Sequence, residues 1–162
     1  MLICGIVGWK NSGKTYFVQK LINYFNSKNL KVASIKHAHH EFNIDKPGTD
    51  SYLHRQAGSQ EVIVSSSKRW VKINELRNTE EKNLNDLLLE LDSPDIVIVE
   101  GFKNEKHAKI EIISDDSDPS TYLFPHLQNV IGIIADSKIE TSTKQFNKNE
   151  IAIIADYILQ RT

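Results

Sequence analysis

Near the amino end, Gly8-Trp-Lys-Asn-Ser-Gly13-Lys14-Thr15 places two glycines, a lysine and a hydroxyl at the spacing G-x-x-x-x-G-K-[ST]. Each fixed position has a chemical job. Gly8 lets the chain leave a strand sharply, and Gly13 lets the backbone come close to a ligand. The amides of Lys10, Asn11, Ser12, Gly13, Lys14 and Thr15 then turn inward where a helix begins, forming a nest for phosphate oxygens. Tyr16, next along that helix, closes the set. Lys14 supplies a mobile cation for β- and γ-phosphates, and the Thr15 hydroxyl is a ligand for Mg²⁺. The Lys10 side chain stands one position too late to match the extra lysine of one P-loop subgroup, so only its amide is given a role.

Such a loop needs an acidic partner at the end of a neighbouring strand. Ile96-Val-Ile-Val99 followed by Glu100-Gly101 provides it. Glu100 is longer than the usual Asp, with the reach to hold Mg²⁺ directly or through water, or to activate a water for hydrolysis. Asp95 opens the same strand at the opposite end and reads as a cap.

Positioning these groups requires strands and helices in alternation. Leu2–Val7 is a buried-strand run. From Thr15 onward Phe17, Leu21, Ile22, Tyr24 and Phe25 fall at helical spacing, and Asn29 tolerates the left-handed stop. Lys31–Lys36, Glu61–Ser65, Arg69–Ile73, Asp95–Glu100, Lys109–Ile113 and Val130–Ala135 read as further strands. Tyr52–Ala57, Glu80–Leu91 and Ile151–Leu159 read as helices. The β-branched run before Glu100 suits a strand covered on both faces. The expected fold is α/β, a three-layer P-loop NTPase with a mostly parallel sheet flanked by helices. The 162 residues are expected to form a single domain, residues 1–162.

A net charge of −1, from 20 Lys+Arg against 21 Asp+Glu, argues against nucleic acid and an anionic membrane surface as partners. Cys4 is the single cysteine, which excludes an internal disulfide and a cysteine-cluster zinc site. There is no run long enough for a membrane span, and the amino end turns to Gly/Lys too soon for a signal peptide. A cytoplasmic protein is the expectation.

Five blocks carry a family resemblance: GWKNSGKT, Ile35-Lys-His-Ala-His-His40, Asp45-Lys-Pro-Gly-Thr-Asp50-Ser51, Ala57-Gly58, and Val99-Glu-Gly-Phe-Lys103. In this order, across residues 1–103, the chain resembles the MobB family of molybdopterin-guanine dinucleotide biosynthesis adaptors. The resemblance implies a GTP-binding protein, at most a weak Mg²⁺-dependent GTPase, working as a homodimer. It also implies a partner, the molybdenum cofactor guanylyltransferase, with molybdopterin or its guanine dinucleotide as the shared ligand. By position, residues 8–15 would hold phosphates, Thr15 and Glu100 the Mg²⁺, and residues 37–50 a mobile loop beside the γ-phosphate or the pterin. Thr49 departs from the family pattern, which has a lysine there.

Other candidates keep more than one reading. His37, His39 and His40 form H-x-H-H, which suits a polar loop beside an anionic ligand, a metal, or a plain surface. Of these, His37 and His40 are taken as ligand contacts. Asp45 is a candidate to reach Mg²⁺ or orient the hydrolytic water, against a turn aspartate before Pro47-Gly48. Arg55 reads as a phosphate or dimer contact, or as a solvated helix residue. The guanine signature N-K-x-D is absent; Asn147-Lys-Asn-Glu150 resembles it but reads as a helix start. Asp136, directly after a strand, is the candidate acceptor for the guanine N1 and N2 hydrogens. Two rival functions remain, a small-molecule kinase and a metal-delivery GTPase. The four arginines, Arg55, Arg69, Arg77 and Arg161, form no arginine-rich lid of the kind a kinase needs.

Overall fold

The apolar runs pair side by side and in one direction. In the computed structural model, which describes residues 1–38 and 40–162 and so leaves His39 of the H-x-H-H cluster outside, six strands form one parallel sheet. These are β1 (Leu2–Val7), β2 (Val32–Lys36), β5 (Ile96–Glu100), β6 (Ala108–Ile112), β7 (Val130–Ile134) and β8 (Gln145–Phe146), in the order β2-β5-β1-β6-β7-β8. A separate antiparallel pair joins β3 (Glu61–Ser65) to β4 (Trp70–Asn74). The helices are α1 (Lys14–Ser27), α2 (Asp50–Gln56), α3 (Leu84–Leu89) and α4 (Ile151–Arg161), with a 3-10 turn at Pro119–Thr121.

Contacts divide the chain into two units, Met1–His37 with Leu84–Thr162, and Ala38–Asn83. In the first, strand alternation sorts the core. Ile96 and Ile98 of β5 turn to one face, where Phe17, Leu21 and Phe25 of α1 meet Ile154, Ala155 and Ile158 of α4. Val97 and Val99 turn to the other, against Leu84, Leu88 and Leu91. All four β5 residues are fully buried, as a continuous β-branched run requires. Side chains such as Leu21 and Phe25 each contribute about 1.5–3 kcal/mol on burial. The helix read over Glu80–Leu91 is shorter here, Leu84–Leu89. Its Leu84 and Leu88 pack on the sheet, whereas residues 80–83 lie in the other unit. Helix α1 ends as its sequence suggests: Asn29 takes φ 60°. Asp95 caps as expected, accepting the Lys31 amide at 2.7 Å.

β6 carries charge into this core. Lys109 and Glu111 are buried, and each is fully engaged by backbone. The Lys109 ammonium donates to the carbonyls of Glu105, His107 and Gln128. The two Glu111 oxygens accept the amides of Leu123 and Phe124 at 2.9 and 2.7 Å, which tie the segment after the 3-10 turn to the sheet. Both residues are costly to bury unless bonded, and these bonds are what allow it. Burial also pushes the Cys4 thiol up to about 12, leaving it inert.

The second unit has little apolar core; Val62 is its one buried hydrophobic residue among those described. Charge holds it instead. Arg55 of α2 clamps both oxygens of Asp45, at 2.9 and 2.5 Å, and reaches Glu75 at 2.5 Å. Arg77 donates to the carbonyls of Gly58 and Arg55. Removing one partner of such a sequestered cluster leaves an uncompensated charge. Arg55→Met is therefore expected to lower hydrogen-exchange protection across α2 and β3–β4 while the parallel sheet keeps its own. Unchanged protection in the hairpin would contradict the clamp.

His107 sets a pH response. Neither ring nitrogen has a hydrogen-bond partner, and a Cβ on Gly5 would lie 2.4 Å from Nε2. Burial first, then the Lys109 charge, drops this imidazole to about 4. As acid is added the unfolded chain takes up the proton near the ordinary value of 6.5 while the folded chain refuses it, so stability falls between about pH 6.5 and 4 and then levels. The loss is on the order of 1–2 kcal/mol once the ring's partial exposure is discounted. Urea unfolding as a function of pH should show that slope in the wild type and a flatter one in His107→Leu; identical curves would rule the residue out.

Candidate functional site

Parallel register brings the carboxyl ends of three strands into one row. Ile6 of β1 and Lys36 of β2 both pair with Glu100 of β5. The loop of residues 8–13 springs from this edge and leads straight into α1 at Lys14. Gly8 has φ 143°, and a Cβ there would meet the Ile112 carbonyl oxygen at 2.5 Å. Asn11 and Gly13 also adopt positive φ, 65° and 90°, and a Cβ on Gly13 would face open space. The loop thus turns through left-handed steps and leaves its inner side open.

Nothing caps the start of α1: there is no side-chain cap and no acidic residue in its first turn. Its leading amides lack helical partners, and the helix end is electropositive. Beside them Ser12 Oγ is buried without a partner. An anion fits this set of donors. Lys14 arches back over the loop and donates to the Trp9 carbonyl at 2.5 Å. Burial lowers its pKa, the Glu100 carboxylate opposes that, and Lys36 adds to it.

Thr15 Oγ1 donates to Glu100 Oε1 at 3.5 Å, and Lys36 Nζ reaches the same oxygen at 2.6 Å. A hydroxyl and a carboxylate are hard oxygen donors, the kind Mg²⁺ takes while keeping several waters. Gly101 follows at φ 97°; a Cβ there would lie 2.8 Å from the His37 Cβ. His37 stacks on Phe102 with ring centroids 4.5 Å apart, and its amide donates to the Glu100 carbonyl at 2.8 Å. On the loop's flank, Trp9 Nε1 donates to the Thr121 carbonyl at 2.6 Å, and Lys103 lies over the indole.

The structure therefore gathers Gly8 to Thr15, Glu100 and His37 at one edge. Lys10 is exposed, and Tyr16 is exposed with Lys20 over its ring. Asp136 stands past the end of β7 on the same edge, held below the usual carboxylate range by the Lys148 hydrogen bond at 2.8 Å. Asp45 and His40 belong to the second unit, Asp45 with both oxygens on Arg55. Among the described residues no group of three or more His, Cys, Asp and Glu could hold a metal. Nor, among them, is any helix long and apolar enough to cross a membrane. Sequence reasoning missed Lys36, whose meeting with Glu100 depends on which strand lies beside β5. It also missed that Asn147 and Lys148 stand beside Asp136.

Residues 3–136 match the family model for molybdopterin guanine dinucleotide synthesis protein B, MobB. The molybdopterin-guanine dinucleotide biosynthesis adapter protein of Escherichia coli K12 is 31% identical over 160 residues, 98% of this chain and 91% of that one. Its Haemophilus influenzae namesake is 33% identical over 159 residues, 96% of this chain and 86% of that one. A solved structure of molybdopterin-guanine biosynthesis protein B superposes with a TM-score of 0.78 at 24% identity, covering 98% of this chain and 99% of that one. Bacillus subtilis MobB does so at 0.76 and 24%, covering 99% and 98%. These superpositions bear out the α/β fold. The family model and the two sequence relatives bear out the resemblance read from GWKNSGKT and the blocks after it, and the chain belongs to the MobB family.

Proposed function

We propose that this protein is an adaptor in molybdopterin-guanine dinucleotide biosynthesis that binds Mg·GTP in the Gly8–Thr15 loop and hydrolyses it slowly. The observation that carries the reading is the uncapped, open start of α1 beside the Thr15–Glu100 pair. Amides of residues 10–15, with Tyr16 behind them, would hold the phosphate oxygens. Lys14 would exchange the Trp9 carbonyl for the phosphates. Thr15 and Glu100 would hold Mg²⁺, which supplies neutralisation of phosphate charge. Glu100 would also take the proton of the attacking water, and His37 would flank the γ-phosphate. Asp136 accepts guanine hydrogens in this reading. Asp45 and His40 belong to the segment assigned to the γ-phosphate or the pterin.

The partner is the guanylyltransferase that joins GMP to molybdopterin, and the setting is the cytoplasm. A homodimer is supported by the β3–β4 hairpin, where Ile63 and Trp70 on one face and Val64 and Val71 on the other are exposed. The adaptor is favoured over a kinase because Arg55 and Arg77 are spent inside the second unit and Arg161 lies over Tyr157.

Calorimetry with Mg·GTP tests the site. Lys14→Ala should weaken binding on the order of 100-fold or more with an unchanged unfolding midpoint, because the lysine contributes charge rather than packing. Wild-type affinity in that variant would remove the site. Glu100→Gln should slow hydrolysis about 100-fold with a smaller loss in binding, as expected of a proton acceptor. Equal losses would leave Glu100 only a structural role. Hydrolysis altered by guanylyltransferase and molybdopterin supports the adaptor, and fast acceptor-dependent phosphorylation would overturn it.

A further inference from the structure

The contiguous motif N-K-x-D is absent, yet its side chains meet in space. β8 pairs in parallel with β7, Ile133 with Gln145 and Ile134 with Phe146. The chain therefore leaves β7 towards Asp136 and leaves β8 towards Asn147 side by side, at the edge from which residues 8–15 spring. Gln145 fixes the first exit, donating to the carbonyls of Ala135 and Ser137 and accepting the Ile139 amide. Glu150 fixes the second, taking the Asn147 amide at 2.8 Å, while Asn147 Oδ1 takes the Asn149 amide at 3.0 Å. What remains free to vary is the far end of two side chains. Asn147 Nδ2 donates to Asp136 Oδ1 at 3.3 Å, and Lys148 Nζ to Asp136 Oδ2 at 2.8 Å. Lys148 has a second carboxylate, Asp115, at 3.6 Å.

Placement adds an independent constraint. In the order β1-β6-β7, Asp136 stands two strands from the phosphate loop, about 10 Å at ~4.8 Å per strand. That offset suits the reach from a nucleotide's phosphates across its ribose to its base. The Lys148–Asp136 pair is also easy to break, since the two side chains are 34% and 40% exposed and pairs of that kind are worth about 0–1 kcal/mol.

We propose that Asp136, Asn147 and Lys148 form a split guanine-reading subsite, in which the Lys148 ammonium passes from Asp136 to Asp115 as the base enters. This rests on the reading of residues 8–15 as a triphosphate site and deepens it. The Asp136 carboxylate takes N1–H and the 2-amino group, two adjacent donors that match its two oxygens. Asn147 Nδ2, released from Asp136, donates to O6. The Lys148 stem covers the base face while its ammonium stays paired. Adenine is rejected because it turns an acceptor, N1, towards the carboxylate and has no 2-amino donor, leaving a polar group unpaired. Xanthine puts a carbonyl where the 2-amino group stood, which Asp136 repels and to which an asparagine Nδ2–H would donate.

Calorimetry on the full chain with Mg²⁺ and GTP, XTP, ATP or inorganic triphosphate tests it. The wild type should prefer GTP over ATP by about 100-fold, as two bonds to a charged group warrant. Asp136→Asn should shift the GTP:XTP affinity ratio about 100-fold towards XTP. Lys148→Ala should lower the ratio of GTP to inorganic-triphosphate affinity about tenfold, and Lys148→Arg should restore most of it. A purely structural Asp136–Lys148 pair would move the unfolding midpoint and leave these ratios alone. An unchanged GTP:XTP ratio in Asp136→Asn, or equal wild-type affinity for GTP and inorganic triphosphate, overturns the subsite while the phosphate loop stands. A wild type that binds neither GTP nor triphosphate removes the phosphate loop, and the subsite with it.

Discussion

In a sheet whose strands all run one way, every strand ends at the same edge, and each crossover must return the chain to the other edge before the next strand begins. Loops at the carboxyl edge are therefore free to vary while the strands beneath them are not. Register does the rest. Because Ile6 and Lys36 both pair with Glu100, the loop that follows β1, the acid and a second cation stand within one row of the pleat. A one-residue slip of β5 would turn Glu100 to the opposite face of the sheet. Val97 and Val99 prevent it, since the same slip would exchange the two sets of side chains packed against the helices.

The sheet also has to remain rigid beside an open, polar edge, and β6 does this with charge rather than apolar bulk. Lys109 and Glu111 exhaust their bonding on backbone carbonyls and amides. Bonds from a buried charge are stronger than neutral ones and fix direction as well as distance. The Glu111 carboxylate thereby holds residues 123–124, just beyond the Thr121 whose carbonyl receives the Trp9 indole. The Gly8–Thr15 loop is braced from its flank through this connection. The second unit uses the opposite economy, with little core and Arg55 bridging Asp45 to Glu75.

Much of this was legible in the chain. The turn of residues 8–13 between a strand and a helix, and the place of Glu100 at a strand end, follow from a spacing and a β-branched run, both local signals. Asn29 was read correctly because a left-handed helix stop is a local signal, whereas the Lys31 amide that Asp95 caps lies 64 residues away and only the fold brings it there. What escaped depends on order in space. Lys36 looks like any polar strand residue until β2 is known to lie beside β5. Asn147 and Lys148 look like a helix start, but they form the turn between β8 and α4, whose cap is Glu150, and only the pairing of β8 with β7 puts them against Asp136. β8 itself is two residues long, too short to show a period. Lys109 and Glu111 lie in a run read only as a strand, and their partners lie 2 to 19 residues away in segments that no periodicity describes.

Three lysines of this edge share one arrangement: each has an anionic or carbonyl partner within the chain. Lys14 rests on the Trp9 carbonyl, Lys36 on Glu100, and Lys148 on Asp136. Ligand binding at such a site exchanges partners rather than supplying partners to bare charges. The net gain per contact is then the difference between two hydrogen bonds, which is smaller than the strength of either. In return, these three lysines form no bare cluster of positive charge that would hold any polyanion it met. In the proposed reading, specificity shifts to whatever replaces all the internal partners together: a chain of phosphates with Mg²⁺ at one end, and a base with two adjacent donors at the other. Such exchange favours discrimination over tightness, which suits a protein proposed to organise another enzyme's reaction and then let its ligand go.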